Sequence, residues 1–340
     1  MIVDLHDSFS IASKLTPKRV LNAAQVWASY QQSLRNKKSK IRGLPMSMAV
    51  EPTTTCNLRC PECPSGLRAF SRPTGRLDTS LFSKIMEDVS RHLMYLTFYF
   101  QGEPYLHPQF LDMVEIANQH RIYTTTSTNA HYLDDRRAEQ TVTSGLDRLI
   151  ISIDGATQET YSAYRKQGQL QKVLEGTETI LRWRKNLKSR TPKVVWQFLV
   201  VKPNEHEIPK IKHLAERYGV DKVAFKTAQI YDYAAGSELI PTIDKYSRYR
   251  QASDGSYKIK NSLENQCWKM WQSCVITWDG QVIPCCFDKD ASHSMGNVSD
   301  HPFEKIWYSS TYNRFRDALL HSRSKIEMCK NCTEGLKVWA

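Results

Sequence analysis

Apolar positions along this chain change rhythm twice. From Thr16-Pro17, a hydroxyl N-cap followed by proline at the first helical position, they return at helical spacing as Val20, Ala24, Trp27, Tyr30 and Leu34. The basic run from Arg35 to Arg42 closes this stretch, and Gly43-Leu44-Pro45 separates it from the next region of the chain. Residues 1–43 therefore read as an N-terminal basic helical arm whose apolar stripe packs on the main body. From residue 46 short β-branched or aromatic runs alternate with helical periods. Strands are predicted near 46–51, 95–100, 121–128, 147–153, 194–201 and 221–227, and helices near 79–91, 109–119, 134–144, 169–186 and 207–218. The strands are nearly continuous in apolar character, as in a parallel sheet buried on both faces. Residues 44–230 thus form a core of six βα-type units, which fits a β/α barrel or an open doubly wound sheet.

After residue 230 the rhythm is lost. Residues 231–266 set Tyr231, Tyr233, Tyr246, Tyr249 and Tyr257 among Gly, Ser, Pro and charged residues, a connector that either borders a site or is a surface linker. Residues 267–340 hold short strands, turn signals and six cysteines, and read as a small second domain with Trp268, Trp271 and Trp278 in its core.

Composition narrows the class. The 340 residues are 41% hydrophobic, ordinary for a soluble protein. No run of eighteen apolar residues exists, so no membrane span is expected. The opening Met-Ile-Val-Asp-Leu-His-Asp carries no secretory pattern, and a cytoplasmic location is expected. The formal net charge is +12, half of it in residues 1–43, which hold eight Lys/Arg against two Asp. That balance fits a solvated surface or an acidic partner, such as a carrier protein, an anionic substrate or a membrane surface. No recognised nucleic-acid motif accompanies it, so nucleic acid is not expected.

The cysteines change the picture most. Nine fall into two groups, three at 56–63 and six at 267–332. The odd count and tight first group argue against a disulfide framework and for metal or redox chemistry. In Cys56-Asn57-Leu58-Arg59-Cys60-Pro61-Glu62-Cys63, three thiolates hold three corners of a four-iron cube and leave one iron open for chemistry. A structural zinc would need a fourth ligand, and no nearby His or Cys supplies it. Further on, Cys267, Cys285, Cys329 and Cys332 can supply four thiolates, with Cys274 competing with Cys267 and Cys286 with Cys285. Zinc is the alternative occupant of this second group.

The C-x3-C-x2-C spacing resembles the radical S-adenosylmethionine (SAM) superfamily, and so do later stretches in the expected order. Gln101-Gly102-Glu103-Pro104 resembles its Gly-Gly-Glu-Pro motif, Thr128-Asn129 ends the third strand where Thr-Asn-Gly is common, and Ser152-Ile153-Asp154-Gly155 ends the fourth. The resemblance implies that Gly102 and Glu103 receive the SAM ammonium, Ser152 the ribose hydroxyls and Arg165 the carboxylate, with Asn129 beside them. Glu62 departs from the pattern, standing where an aromatic residue or His usually lies against the adenine. His107 reads as structural. Cys267-x17-Cys285, Gly280 and Cys329-x2-Cys332 resemble the C-terminal SPASM and twitch domains, and imply one auxiliary cluster with Cys274 and Cys286 as buried apolar residues. The fold implied is α/β, a partial (β/α)6 TIM-like barrel with a small C-terminal cysteine-rich SPASM/twitch-type domain.

The cofactors implied are two [4Fe-4S] clusters and SAM, with a flavodoxin or ferredoxin as electron donor. The activity implied is reductive cleavage of SAM to a 5′-deoxyadenosyl radical, which abstracts hydrogen from a substrate. An auxiliary cluster closed by four thiolates suits an electron acceptor, hence an oxidoreductase or dehydrogenase. The substrate is a small metabolite or a ribosomally made peptide; a 43-residue arm is short for a winged-helix leader-binding module, which favours the former. A non-catalytic iron–sulfur or zinc scaffold is the third reading. No catalytic acid or base is assigned, although Asp154 and Glu103 are the nearest carboxylates.

Overall fold

A computed structural model describes residues 5–335; residues 1–4 of the expected arm and 336–340 of the expected C-terminal domain lie outside the described residues. Two helices come first, α1 (Leu5–Ser13) and α2 (Pro17–Asn36). The parallel strands are β1 (Ser47–Val50), β2 (Tyr95–Thr97), β3 (Tyr123–Thr128), β4 (Arg148–Ser152), β5 (Lys193–Val200) and β6 (Lys222–Thr227). Between them lie α3 (Pro64–Leu67), α4 (Thr79–Val89), α5 (Phe110–Gln119), α6 (Asp135–Thr143), α7 (Gln158–Tyr164), α8 (Leu170–Asn186) and α9 (Ile208–Tyr218). A hairpin of β7 (Tyr249–Gln251) and β8 (Tyr257–Ile259) comes next, then α10 (Lys269–Gln272), β9 (Ser273–Ile276), β10 (Gln281–Ile283), β11 (Gly296–Asn297), α11 (Phe303–Trp307) and α12 (Ser310–Ser322).

The strand order is β11-β10-β9-β1-β2-β3-β4-β5-β6. From β1 to β6 each crossover advances one place in the same direction, whereas a doubly wound sheet reverses at its switch point. That order makes the core a partial barrel and excludes the open alternative. Alternate residues divide its two faces. Met48, Val50, Leu96, Phe98, Trp196 and Phe198 are buried in the main hydrophobic core, and Trp196 meets Tyr218 of α9 with ring centroids 5.5 Å apart. The other register, including Ser47, Tyr95, Thr97, Ser127, Arg148 and Ser152, is largely polar and lines the interior. The C-terminal segment is not detached: β9 pairs in parallel with β1, and β10 and β11 extend the same sheet in antiparallel fashion.

The arm differs from its sequence reading. Only the end of the expected stripe, Tyr30 and Leu34, faces the body, whereas Val20 and Trp27 are 51% and 45% exposed. The buried face is Arg19, Asn22, Val26, Ser29, Tyr30 and Ser33. The reason is hydrogen bonding. Arg19 Nη2 donates to Ser90 O and His120 O, both at 2.8 Å, beyond the C-termini of α4 and α5, where carbonyls lack helical partners. Asn22 exchanges two bonds of 2.8 Å with the Leu44 backbone. Tyr30 packs between Trp268 and Trp271, its ring centroid 5.2 and 5.1 Å from theirs. Trp278 is not in that cluster; its Nε1 donates to Pro73 O at 3.2 Å. No helix among the described residues is long and apolar enough to cross a membrane.

Helix α1, which periodicity does not predict, closes the barrel floor. Asp7 is buried there; it accepts from Tyr123 Oη at 2.6 Å and from Arg148 Nη2, with Lys193 Nζ 3.8 Å away. Asp7→Ala leaves the Arg148 guanidinium without its carboxylate in a largely dry place. Its loss should lower stability by about 2–3 kcal/mol, somewhat less than for a fully buried pair. Breaking the exposed Arg182–Asp135 pair should cost under about 1 kcal/mol. Urea unfolding of Asp7→Ala and Asp135→Ala measures the contrast, and equal losses would refute a plugging role for α1.

Candidate active site

Cys56, Cys60 and Cys63 lie in the loop after β1, at the C-terminal end of the strands, where β/α barrels place their chemistry. They share one cavity with Gly66, Tyr99, Gly102, Glu103, Asn129, Ser152 and Arg165. All five residues assigned to SAM on sequence grounds thus face the three thiols. The loop is held from several sides. Leu58 N–H points at Cys56 Sγ at 3.5 Å, and Arg68 Nη2 donates to Cys56 O at 2.9 Å. Gly66 in α3 sits so close that a Cβ there would lie 2.5 Å from both Cys60 N and Cys60 O. Burial pushes the Cys56 thiol up to about 12, and Cys60 is raised by burial against the opposing charge of Arg165. As free thiols both are neutral at pH 7, so cluster assembly must release their protons.

Gly102 lies at φ +75°, and a Cβ there would meet Thr53 O at 2.1 Å, so only glycine lets the strand end turn this close to the cysteine loop. Its N–H donates to Ser65 Oγ at 2.8 Å. Glu103 is buried and already accepts three bonds, from Thr128 Oγ1 and Asn129 N at 2.7 Å and from Tyr105 N at 3.3 Å. A carboxylate offers about four acceptor positions, so one is left for an ammonium. Burial still raises the Glu103 carboxyl above its ordinary range. Asn129 Nδ2 donates to Asn57 Oδ1 at 2.8 Å, tying β3 to the cysteine loop. Arg165 donates through Nε to Asp154 Oδ2 at 2.5 Å and through Nη1 to Cys60 Sγ at 3.8 Å. A fork through Nε is therefore taken, and a carboxylate would meet the Nη groups. Glu62, at the divergent position, accepts from Tyr231 N at 2.9 Å and fastens the connector to the loop.

The second group also assembles. Cys267 and Cys285 lie in one apolar cluster, Trp268 N donates to Gly335 O at 2.8 Å beside the Cys329–Cys332 turn, and Cys274 belongs instead to the main core. Cys274 is buried as expected, but Cys286, expected to be buried too, is exposed. Arg323, fully buried, bonds Cys332 Sγ at 3.4 Å, Gln266 O at 2.8 Å and Glu334 O at 2.7 Å. Its Nε has no partner among the described residues, leaving one charge-bearing edge for an anionic cluster. Tyr249, stacked on Tyr233 with ring centroids 4.5 Å apart, bonds Asn331 Oδ1 at 2.9 Å and ties the connector to this group.

Comparison with known proteins agrees with this geometry. Residues 50–215 match the radical SAM superfamily and residues 267–333 match SPASM, an iron–sulfur cluster-binding domain. The chain thus carries a radical SAM domain followed by a SPASM domain. It is 25% identical over 300 residues to a "tungsten-containing aldehyde ferredoxin oxidoreductase cofactor-modifying protein" of Pyrococcus furiosus, covering 78% of this chain and 82% of that one. It is 24% identical to the "PqqA peptide cyclase" of Gluconobacter oxydans, covering 87% and 84%. Among solved folds, SAM-bound SuiB of Streptococcus suis superposes with a TM-score of 0.65 at 13% identity, over 92% of this chain and 77% of that one.

The cofactors of this radical SAM enzyme are therefore a SAM-binding four-iron cluster, SAM and auxiliary iron–sulfur chemistry, and the residues present fit them. Cys56, Cys60 and Cys63 would hold the first cluster, and Cys267, Cys285, Cys329 and Cys332 the second. Among the described residues no three His, Cys, Asp or Glu side chains converge as ligands of one metal ion do. Ser65, Gly66, Asn57 and Arg323 escaped sequence reasoning, because no spacing signals a side chain that serves a distant loop. Tyr99 escaped it as an apparent strand residue, yet it borders both the cysteine cavity and a second one lined by Lys269, Cys285 and Cys286.

Reconstituted protein should carry about eight irons. Gly66→Ala should displace the Cys60 backbone and cut loading to about four irons without unfolding the chain. Cys267→Ala should lose about four irons, whereas Cys274→Ala should keep about eight. Iron and sulfide assays with circular dichroism decide both, and loss of iron from Cys274→Ala would reverse the ligand assignment.

Proposed function

We propose that this radical SAM enzyme modifies a peptide, forming a crosslink or an equivalent two-electron oxidation on one residue. The carrying observation is the position of Tyr99 between two cavities. On one side lie the thiols and the SAM-facing residues, and on the other a space lined by Lys269, Cys285 and Cys286. A substrate group there stands between a radical source and an electron acceptor. When bound, the first cluster and SAM supply one-electron cleavage of SAM and the radical that removes a hydrogen atom. The chain's residues do the rest. Arg165 and Glu103 orient SAM, Gly102 and Gly66 let the backbone close around it, and Tyr99 separates it from the substrate space. A flavodoxin or ferredoxin is the proposed electron donor.

A small metabolite is the alternative substrate. Two considerations support a peptide instead. The arm is already committed to the barrel floor and to α10, so its length says little about how a substrate is recruited. The relative named a peptide cyclase aligns over 87% of this chain and 84% of its own length.

With SAM and dithionite, the anaerobically reconstituted protein should release 5′-deoxyadenosine, and a short peptide encoded beside its gene should lose two hydrogens by mass spectrometry. Loss of two hydrogens from a small polar metabolite but from no such peptide would restore the dehydrogenase reading. No deoxyadenosine from iron-loaded protein would leave only the scaffold.

A further inference from the structure

Helix α2 turns two faces in opposite directions. Arg19, Asn22, Val26, Tyr30 and Ser33 are buried on one. Val20, Leu21, Ala24, Trp27 and Ala28 recur at helical spacing on the other and are all exposed, Leu21 by 61%. Phe9 of α1 is 71% exposed. Four of the ten exposed large apolar side chains among the described residues thus fall within nineteen residues of the arm, which is a cluster and not the ordinary scatter of a surface. Charge is as one-sided. Of the arm's eight cations, Lys14 pairs with Asp147, and Arg19 is buried against carbonyls. The other six, Lys18, Arg35, Lys37, Lys38, Lys40 and Arg42, are exposed and in no ion pair among the described residues. Lys18 precedes the apolar face and the rest follow it. Asp7, the arm's carboxylate among those residues, is buried in the barrel floor. Arg19 reaches the C-terminal ends of α4 and α5, and Tyr30 meets α10 just before β9. Both contacts lie at the end of the parallel strands opposite the cysteine loop.

We propose that α2 docks on an anionic lipid surface, with Val20, Leu21, Ala24, Trp27 and Ala28 at the headgroup boundary and the six cations over acidic headgroups. The face suits lipid better than protein. It is the convex side of one helix, two of its five apolar residues are alanine, and a stable protein interface covers about 800 Å² on each partner. A second copy would set the same cations against each other. A fluid interface moulds to a narrow apolar strip, the Trp ring suits headgroup depth, and each flanking cation adds attraction to acidic lipid. Contact at that end of the barrel leaves the rim with the thiols uncovered. This reading does not rest on the proposed peptide chemistry.

The test is co-sedimentation of the full-length, iron-loaded protein with vesicles. Vesicles of about 30% phosphatidylglycerol in phosphatidylcholine should bind it at least about tenfold more tightly than phosphatidylcholine alone, and should release it as salt rises from about 0.1 to about 0.5 M. Lys38→Gln with Lys40→Gln should weaken that binding about 30-fold, and Leu21→Ser with Trp27→Ser at least about tenfold. Brominated lipid should quench the fluorescence of the parent protein more than that of Trp27→Phe. Iron content and deoxyadenosine release should match the parent in every variant, because each changed residue is exposed and lies away from the thiols. Binding that ignores headgroup charge, or variants that bind like the parent, overturns the proposal. So does a failure to bind vesicles. In that case a dimer in sedimentation velocity that Leu21→Ser with Trp27→Ser dissolves would assign the face to a second copy, and salt-sensitive binding to a purified acidic carrier protein would assign it to a protein partner.

Discussion

One buried carboxylate holds the working end of this barrel together. Glu103 takes donors from Thr128, Asn129 and Tyr105, and its own N–H donates to Thr55 O at 2.8 Å, one residue before Cys56. The ends of β2 and β3 and the start of the cysteine loop are thereby fixed to each other. A cube held by three thiolates has no fourth protein ligand to correct its position, so the loop itself must be rigid. Gly102 and Gly66 serve the same end from the opposite direction. Each stands where a Cβ would strike backbone, which lets strand end and helix close on the cysteines without a gap.

The same barrel keeps its two faces chemically apart. The outer register is apolar and lies under helices, which supplies the stability. The inner register is polar and has to be managed. At the floor, α1 brings Asp7 to Arg148 and Tyr123. At the rim, Asp154 and Arg165 pair beside Cys60.

The parallel pairing of β9 with β1 makes the second cysteine group part of the barrel wall. Tyr30 on Trp268 and Trp271 locks that wall from outside, and Tyr249 on Asn331 locks it from the connector. Distance and orientation between the two cysteine groups are set by a hydrogen-bonded sheet and by packed rings. The sheet keeps the gap between them fixed.

The sequence alone determined the six βα units, the three-thiol spacing and the residues at strand ends that face it. These are local patterns: periods of two and 3.6, a spacing of a few residues, and glycine where backbones touch. Only the tertiary structure decided the barrel over the open sheet, the helix α1 at its floor, and the outward turn of Val20 and Trp27. It alone left Cys286 exposed and brought Arg323 to Cys332. The physical reason is that each of these depends on a partner dozens to hundreds of residues away. Arg19 is buried because carbonyls at the ends of two other helices lack donors, and Arg323 because thiols from two segments need a counter-charge. No periodicity within a helix encodes the needs of its neighbours.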